Sequence, residues 1–207
     1  PKHLEPDHFY KMSTSANLYA ILTCTMAIKN SIKPIVGLVR GWSVGIGFTL
    51  SSLFTFLYCT PDAKFLAPFS TSFQIPEGSS TFSFPALLGQ RKANELLFLS
   101  QTLTAVEAKR FNFVNEILPE LANEPSEFPD MSKIPTIGKL LATDQRTLEN
   151  CMELMNAARD NDRIDATIWR ELKLCVDNNM DPEFQPKMQA YMKQTLGKNK
   201  KKAQPKL

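Results

Sequence analysis

With 207 residues, 43% of them hydrophobic and 22% charged, the chain can bury one substantial core and has the balance of an ordinary globular protein. Its two histidines, His3 and His8, both lie near the start, which leaves no material for a histidine-based zinc site or a Ser-His-Asp triad. The net charge of +3 is concentrated at one end: residues 191–207 hold six lysines and no acid, so residues 1–190 carry −3, which excludes a basic nucleic-acid-binding body.

Apolar residues Leu18, Ile21, Leu22, Met26 and Ile28 recur at helical spacing and predict a helix over 10–32, stopped by Pro34. Ile35–Val39 is a short apolar run and predicts a strand inside a covered sheet. A glycine turn follows over 41–47, then a buried helix to about Cys59. Pro61-Asp62 is a turn, and 63–68 reads as a short strand. Residues 69–81 read as a loop, and Pro85–Ser100 as one helix. Thr104 with Glu107 forms a capping-box pattern at the head of a helix that ends near Phe111, with Asn112 suited to a left-handed C-terminal position. Phe113–Leu118 is strand-like. Four prolines make 119–135 a surface connection, and 136–193 is helical and more polar.

Strands alternating with helices and then helices alone predict an α/β core with a helical C-terminal region. The expected division is a core over 1–130, a helical region over 131–196 and a disordered basic tail over 197–207. The cluster Lys198–Lys202 reads first as a solvated tail, with contact to RNA or a membrane surface as the alternative. The stretch from Gly41 to Pro61 contains no charged residue, as a membrane span would. Its three bunched glycines and interspersed serines and threonines favour a turn feeding a buried helix instead. The cysteines (Cys24, Cys59, Cys151 and Cys175) show neither metal-ligand spacing nor a disulfide framework, which fits a reducing compartment.

Two segments carry candidate chemistry. In Gly41-Trp42-Ser43-Val44-Gly45-Ile46-Gly47, a strand enters a glycine turn and a helix starts at once. Glycines allow close backbone approach, and the free N–H groups of a helix start favour developing negative charge, as an oxyanion hole requires. The alternative is a tight turn with glycines for packing only. The second segment is Pro76-Glu77-Gly78-Ser79-Ser80.

Together the two segments resemble the paired active-site motifs of the enoyl-CoA hydratase/isomerase (crotonase) superfamily. The likeness covers roughly 14–120 and extends through Ser79–Pro85, Leu103–Ala108 and Phe113–Glu116. It implies a crotonase-like spiral of strands and helices, with Ile46 supplying a backbone N–H to the thioester oxygen. Hydratases of the family use two carboxylates. The matching positions here are Thr49 and Phe69, so water addition is not expected. The isomerase branch places one Glu after the Pro, and Glu77 matches it. The implied activity is Δ3,Δ2-enoyl-CoA isomerisation in unsaturated fatty acid β-oxidation, with Glu77 moving a proton from C2 to C4. The alternative is a catalytically impaired relative that binds acyl-CoA or a protein partner. Trp42, Ser43, Gly45, Gly47, Phe73, Ile75, Pro76 and Phe82 are the expected substrate contacts, with Phe73, Ile75 and Phe82 as the apolar lining of Glu77. No metal or redox cofactor is expected, because coenzyme A is part of the substrate.

Three features depart from the family pattern. Relatives carry Leu-Gly where this chain has Ser72-Phe73, and a glycine where it has Asn112. Relatives also draw a second oxyanion N–H from a glycine-containing loop after an early strand. No glycine precedes Gly37, so the expectation is that an N-terminal part lies outside this sequence. The final Pro205-Lys206-Leu207 resembles the peroxisomal address Ser-Lys-Leu. A peroxisomal import receptor is therefore an expected partner, with mitochondrion or cytoplasm as alternative locations. The resemblance also implies a homotrimer or hexamer, while the charge distribution and the glycine-rich 41–61 run lead to the expectation of no nucleic acid and no membrane span.

Overall fold

The structure, a computed structural model, describes residues 6–123 and 129–202. Two three-stranded sheets share the chain between them. β1 (Val36–Val39), β3 (Phe56–Cys59) and β6 (Glu116–Ile117) form one, all parallel, in the order β1-β3-β6. β2 (Trp42–Val44), β4 (Lys64–Leu66) and β5 (Thr102–Thr104) form the other, with β2 parallel and β5 antiparallel to β4. The chain steps from the first sheet to the second between β1 and β2 and again between β3 and β4, which gives the fold its spiral character. Gly41 makes the first of these steps at φ 68, a left-handed value that glycine adopts without steric cost.

Helix α1 (Pro6–Lys29) precedes the first sheet. Between β2 and β3 lies α2 (Ile46–Ser51), and after β4 comes α3 (Phe69–Ser72). The pair α4 (Ser80–Leu88) and α5 (Gln90–Leu99) leads to β5, and α6 (Ala105–Arg110) separates β5 from β6. Two short 3₁₀ turns, Pro119–Leu121 and Met131–Lys133, then lead to α7 (Pro135–Ala142), α8 (Gln145–Ala157), α9 (Asn161–Met180) and α10 (Phe184–Lys202).

The core between the sheets is aromatic. Phe48, Phe65, Phe84 and Phe113 pack with ring centroids 4.6–5.9 Å apart. Such pairs contribute about 0.5–1.5 kcal/mol each beyond burial. This cluster fixes α2 and α4, the two helices that flank the site. Their ends are also joined where the hydroxyls of Ser52 and Ser83 hydrogen-bond at 2.7 Å.

The helix expected over 47–59 is instead a short helix followed by a strand. An uncharged apolar run has no periodicity to separate the two forms. Ser51 and Ser52 each turn their hydroxyl back onto a carbonyl three residues earlier, and the aromatic Phe56-Leu57-Tyr58 stretch suits a pleated sheet. The helix expected over 85–100 is two helices broken at Gly89 (φ 79), and the first begins at Ser80. The 69–81 loop contains the α3 turn and narrows to 73–79. The 119–135 connection is not wholly at the surface: Leu121 and Ile134 are fully buried against Tyr58. The Thr104–Glu107 capping box forms with both of its hydrogen bonds, and Asn112 takes the left-handed value φ 60.

The uncharged 41–61 run is divided among β2, α2 and β3. Among the described residues no helix is long and apolar enough to cross a membrane. At the other end, α10 continues through Lys202, inside the stretch read as a disordered tail, in keeping with the good helix propensity of lysine. Pro205-Lys206-Leu207 lies outside the described residues.

Candidate active site

Glycine geometry builds the first half of the site. Gly45 is the N-cap of α2 with φ 58, and its N–H donates to the Leu66 carbonyl at 2.9 Å, tying the helix start to β4. Ile46 is the first residue of the helix, where backbone N–H groups lack an intrahelical acceptor. Ser43 and Gly47 stack beside it: a methyl group on Gly47 would lie 3.5 Å from Ser43 Oγ. Trp42 is exposed on β2, with Lys64 Nζ 5.2 Å from its ring centroid.

The second half is the Glu77 turn. Gly78 (φ 67) sits directly on α2. A methyl group there would meet Thr49 Oγ1 at 2.7 Å and Ile46 Cδ1 at 3.6 Å. The structure thus brings the residue next to Glu77 onto the helix start that carries Ile46. Glu77 itself is half-buried. It lines a cavity of about 360 Å³ with Leu18 and Ile21 of α1, Phe69 and Ile75, Cys175 of α9, and Met188 of α10. Burial, and then the negative charge of Glu171, push its carboxyl up to about 7. A carboxyl near neutrality can both take and return a proton.

Of the expected lining, Ile75 faces this cavity and its carbonyl accepts from Cys175 Sγ at 3.9 Å. Pro76 is half-buried beside Glu77. Phe73 and Phe82 stand elsewhere. Phe73 is exposed at the end of α3 in the left-handed region (φ 61), because the chain must reverse there. Phe82 lies on the outer side of α4, with the Arg163 guanidinium 5.6 Å from its ring centroid. The α1, α9 and α10 side chains supply apolar lining in their place.

Thr49 and Phe69 are both buried, and Phe69 reaches the cavity wall. Neither offers a carboxylate, so Glu77 and Glu171 are the acids at the site among the residues lining it. Sequence reading missed Glu171, Cys175 and Asn178. The available signal was an acid inside the apolar stripe Ile164–Ile168–Glu171–Cys175 of α9, all of which are buried.

The enoyl-CoA hydratase/isomerase family model matches residues 10–198. The chain belongs to the enoyl-CoA hydratase/isomerase family. It is 39% identical over 108 residues to the peroxisomal enoyl-CoA delta isomerase 3 of Mus musculus, covering 52% of this chain and 33% of that one. It is 28% identical over 131 residues to the chromodomain Y-like protein of Mus musculus, covering 63% of this chain and 22% of that one. The chain therefore spans a third or less of the length of these relatives. An enoyl-CoA hydratase from Mycobacterium avium subsp. paratuberculosis shares the fold, with a TM-score of 0.76 at 19% identity over 87% of this chain and 71% of that one. The family's α/β spiral with a helical C-terminal region is the architecture observed.

Proposed function

We propose that this chain carries the catalytic base of a Δ3,Δ2-enoyl-CoA isomerase. The observation that supports this reading is the seating of Glu77. It is a half-buried carboxyl held near neutrality, next to a glycine packed on the Ile46 helix start. Thr49 and Phe69 fill the positions where a hydratase would carry its acids.

The reaction follows from these groups. The C2 proton of a 3-enoyl-CoA is acidified by the thioester and the adjacent double bond. Glu77 removes it, the double bond shifts from C3–C4 to C2–C3, and charge develops on the thioester oxygen. The Ile46 N–H stabilises that charge as a preorganised donor. The protonated Glu77 then delivers the proton to C4. One carboxyl and a backbone donor suffice for this proton transfer, so it asks for no metal or redox cofactor, and coenzyme A belongs to the substrate. Trp42, Ser43, Gly45 and Gly47 border the thioester in this reading, and Ile75 and Pro76 border the acyl chain. The test is conversion of 3-enoyl-CoA to 2-enoyl-CoA by the full-length protein; no conversion refutes the assignment.

The peroxisomal relative supports a peroxisomal location with recognition by an import receptor. A trimeric or hexameric assembly belongs to the same proposal. Similarity to the chromodomain Y-like protein, whose name carries no acyl-CoA chemistry, favours a second reading as an acyl-CoA-binding or interaction protein. Binding of acyl-CoA without turnover would support it.

A further inference from the structure

The turn after Glu77 is strained and is held from a distant helix. Gly78 (φ 67) and Ser79 (φ 64) are consecutive left-handed residues, and Ser79 carries a Cβ that makes this conformation unfavourable. Such conformations persist only where their surroundings over-determine them. Here the constraint comes from α9. Glu171 Oε2 accepts from the Ser79 N–H at 2.8 Å. Its Oε1 accepts from the Thr81 N–H at 2.9 Å and from the Thr81 hydroxyl at 2.6 Å. Glu171 is only 5% exposed, so these bonds are shielded from competing water. Burial raises the Glu171 carboxyl, and these three bonds oppose that rise: all three partners are donors, which favours a carboxylate accepting on both oxygens. Glu171 and Glu77 also line one narrow crevice between α1 and α9.

We propose that Glu171 is a positioning residue for Glu77: from α9 it clamps the 78–81 turn and so fixes where the Glu77 carboxyl points. The proposal rests on the reading of Glu77 as the base. Glu171 acts through the backbone and does not touch the reacting atoms. Its charge has a second effect, since it adds to burial in holding the proton on Glu77. The third titratable group at the site is Cys175, whose thiol is pushed up to about 12 by burial and by the two acids and so stays neutral. Among the described residues, α1 and α10 bring only apolar, hydroxyl and amide side chains to either cavity, and Phe69, Gln74 and Ile75 add no charge.

The test is Glu171→Gln in the full-length protein. The variant keeps the size, removes the charge and turns one acceptor into a donor opposing a turn N–H. Three quantities are read: amide hydrogen exchange at Ser79 and Thr81, the Glu77 titration midpoint by carbon NMR, and kcat and KM on 3-enoyl-CoA against pH. Exchange is expected to speed up about tenfold or more. The Glu77 midpoint and the acid limb of the pH profile both move to lower pH. kcat falls about 10- to 100-fold with a smaller change in KM, as misplacement of a reacting group predicts. Unchanged exchange and an unchanged midpoint overturn the proposal. Should Glu171→Gln fail to fold, Thr81→Ala removes one donor; faster Ser79 exchange with reduced kcat supports the clamp, and wild-type values overturn it. The first two readouts need no turnover. If they respond in a protein without isomerase activity, the clamp stands and the isomerase reading fails. If they do not respond in an active enzyme, the clamp alone fails.

Discussion

Gly78 packs so closely on Thr49 that a methyl group on Gly78 would stand 2.7 Å from the Thr49 hydroxyl oxygen. This contact joins segments about thirty residues apart in sequence, the helix start that offers backbone donors and the turn that offers the carboxyl.

Gly78→Ala is therefore expected to be destabilising on two counts, the close contact and the positive φ of 67. A loss of about 1–3 kcal/mol is the scale for a non-glycine residue forced into such a position. Denaturant unfolding measures it. Adding Thr49→Ala should recover part of the loss, because it removes the nearer of the two clashing atoms. An unchanged midpoint in Gly78→Ala would mean the turn is not seated on α2.

Glu77 gives a pH-dependent stability signature that needs no substrate. Its carboxyl is raised from 4.5 to about 7 in the fold. The folded state then binds its proton more tightly than the unfolded state does between these values. Stability from this group is full below the unfolded pKa and falls as pH rises through about 7. Glu77→Gln lacks this dependence. Thermal unfolding from pH 4 to 8 should show the variant gaining on the wild type as pH rises, with the difference levelling off above the folded pKa. A pH-independent difference would place Glu77 in water.

Phe73 occupies the left-handed region at φ 61, and its ring is exposed. Little packing is lost by removing the ring, and the backbone strain is relieved. Phe73→Gly is expected to stabilise the protein by about 1 kcal/mol, read as a higher unfolding midpoint. A clear loss of stability would show that the ring is buried against something in the assembled protein.

Hydration should be absent or marginal. Thr49 and Phe69 stand buried where two water-activating acids would be needed. With 2-enoyl-CoA as substrate, formation of 3-hydroxyacyl-CoA should stay far below isomerisation. Comparable rates would contradict the division of roles at the site.

Much of the site was legible because its signals are local. The Gly45-Ile46-Gly47 turn, the Thr104–Glu107 capping box and the left-handed Asn112 each need only a few neighbouring residues to be recognised. The 53–59 stretch was misread because an uncharged run carries no face, and only pairing with β1 and β6 decides that it is a strand. Phe73 and Phe82 were assigned to the cavity by their closeness to Glu77 in sequence. Their actual directions are set by the reversal after α3 and by the packing of α4 against Arg163. Glu171 was the least legible: its place in the apolar stripe of α9 marks it as buried, but its partner Ser79 lies more than ninety residues away and local sequence does not name it.

The proposed reaction makes Glu77 the sole acid–base group of a double-bond isomerase. Its most direct test is the isomerisation rate of Glu77→Gln in the full-length protein, with acyl-CoA binding measured in parallel. Loss of a general base is worth about 10²–10⁴-fold in rate. The expected result is a fall of that size with acyl-CoA affinity nearly unchanged. Retention of more than about a tenth of wild-type turnover, a loss far smaller than removal of a base entails, would contradict the assignment.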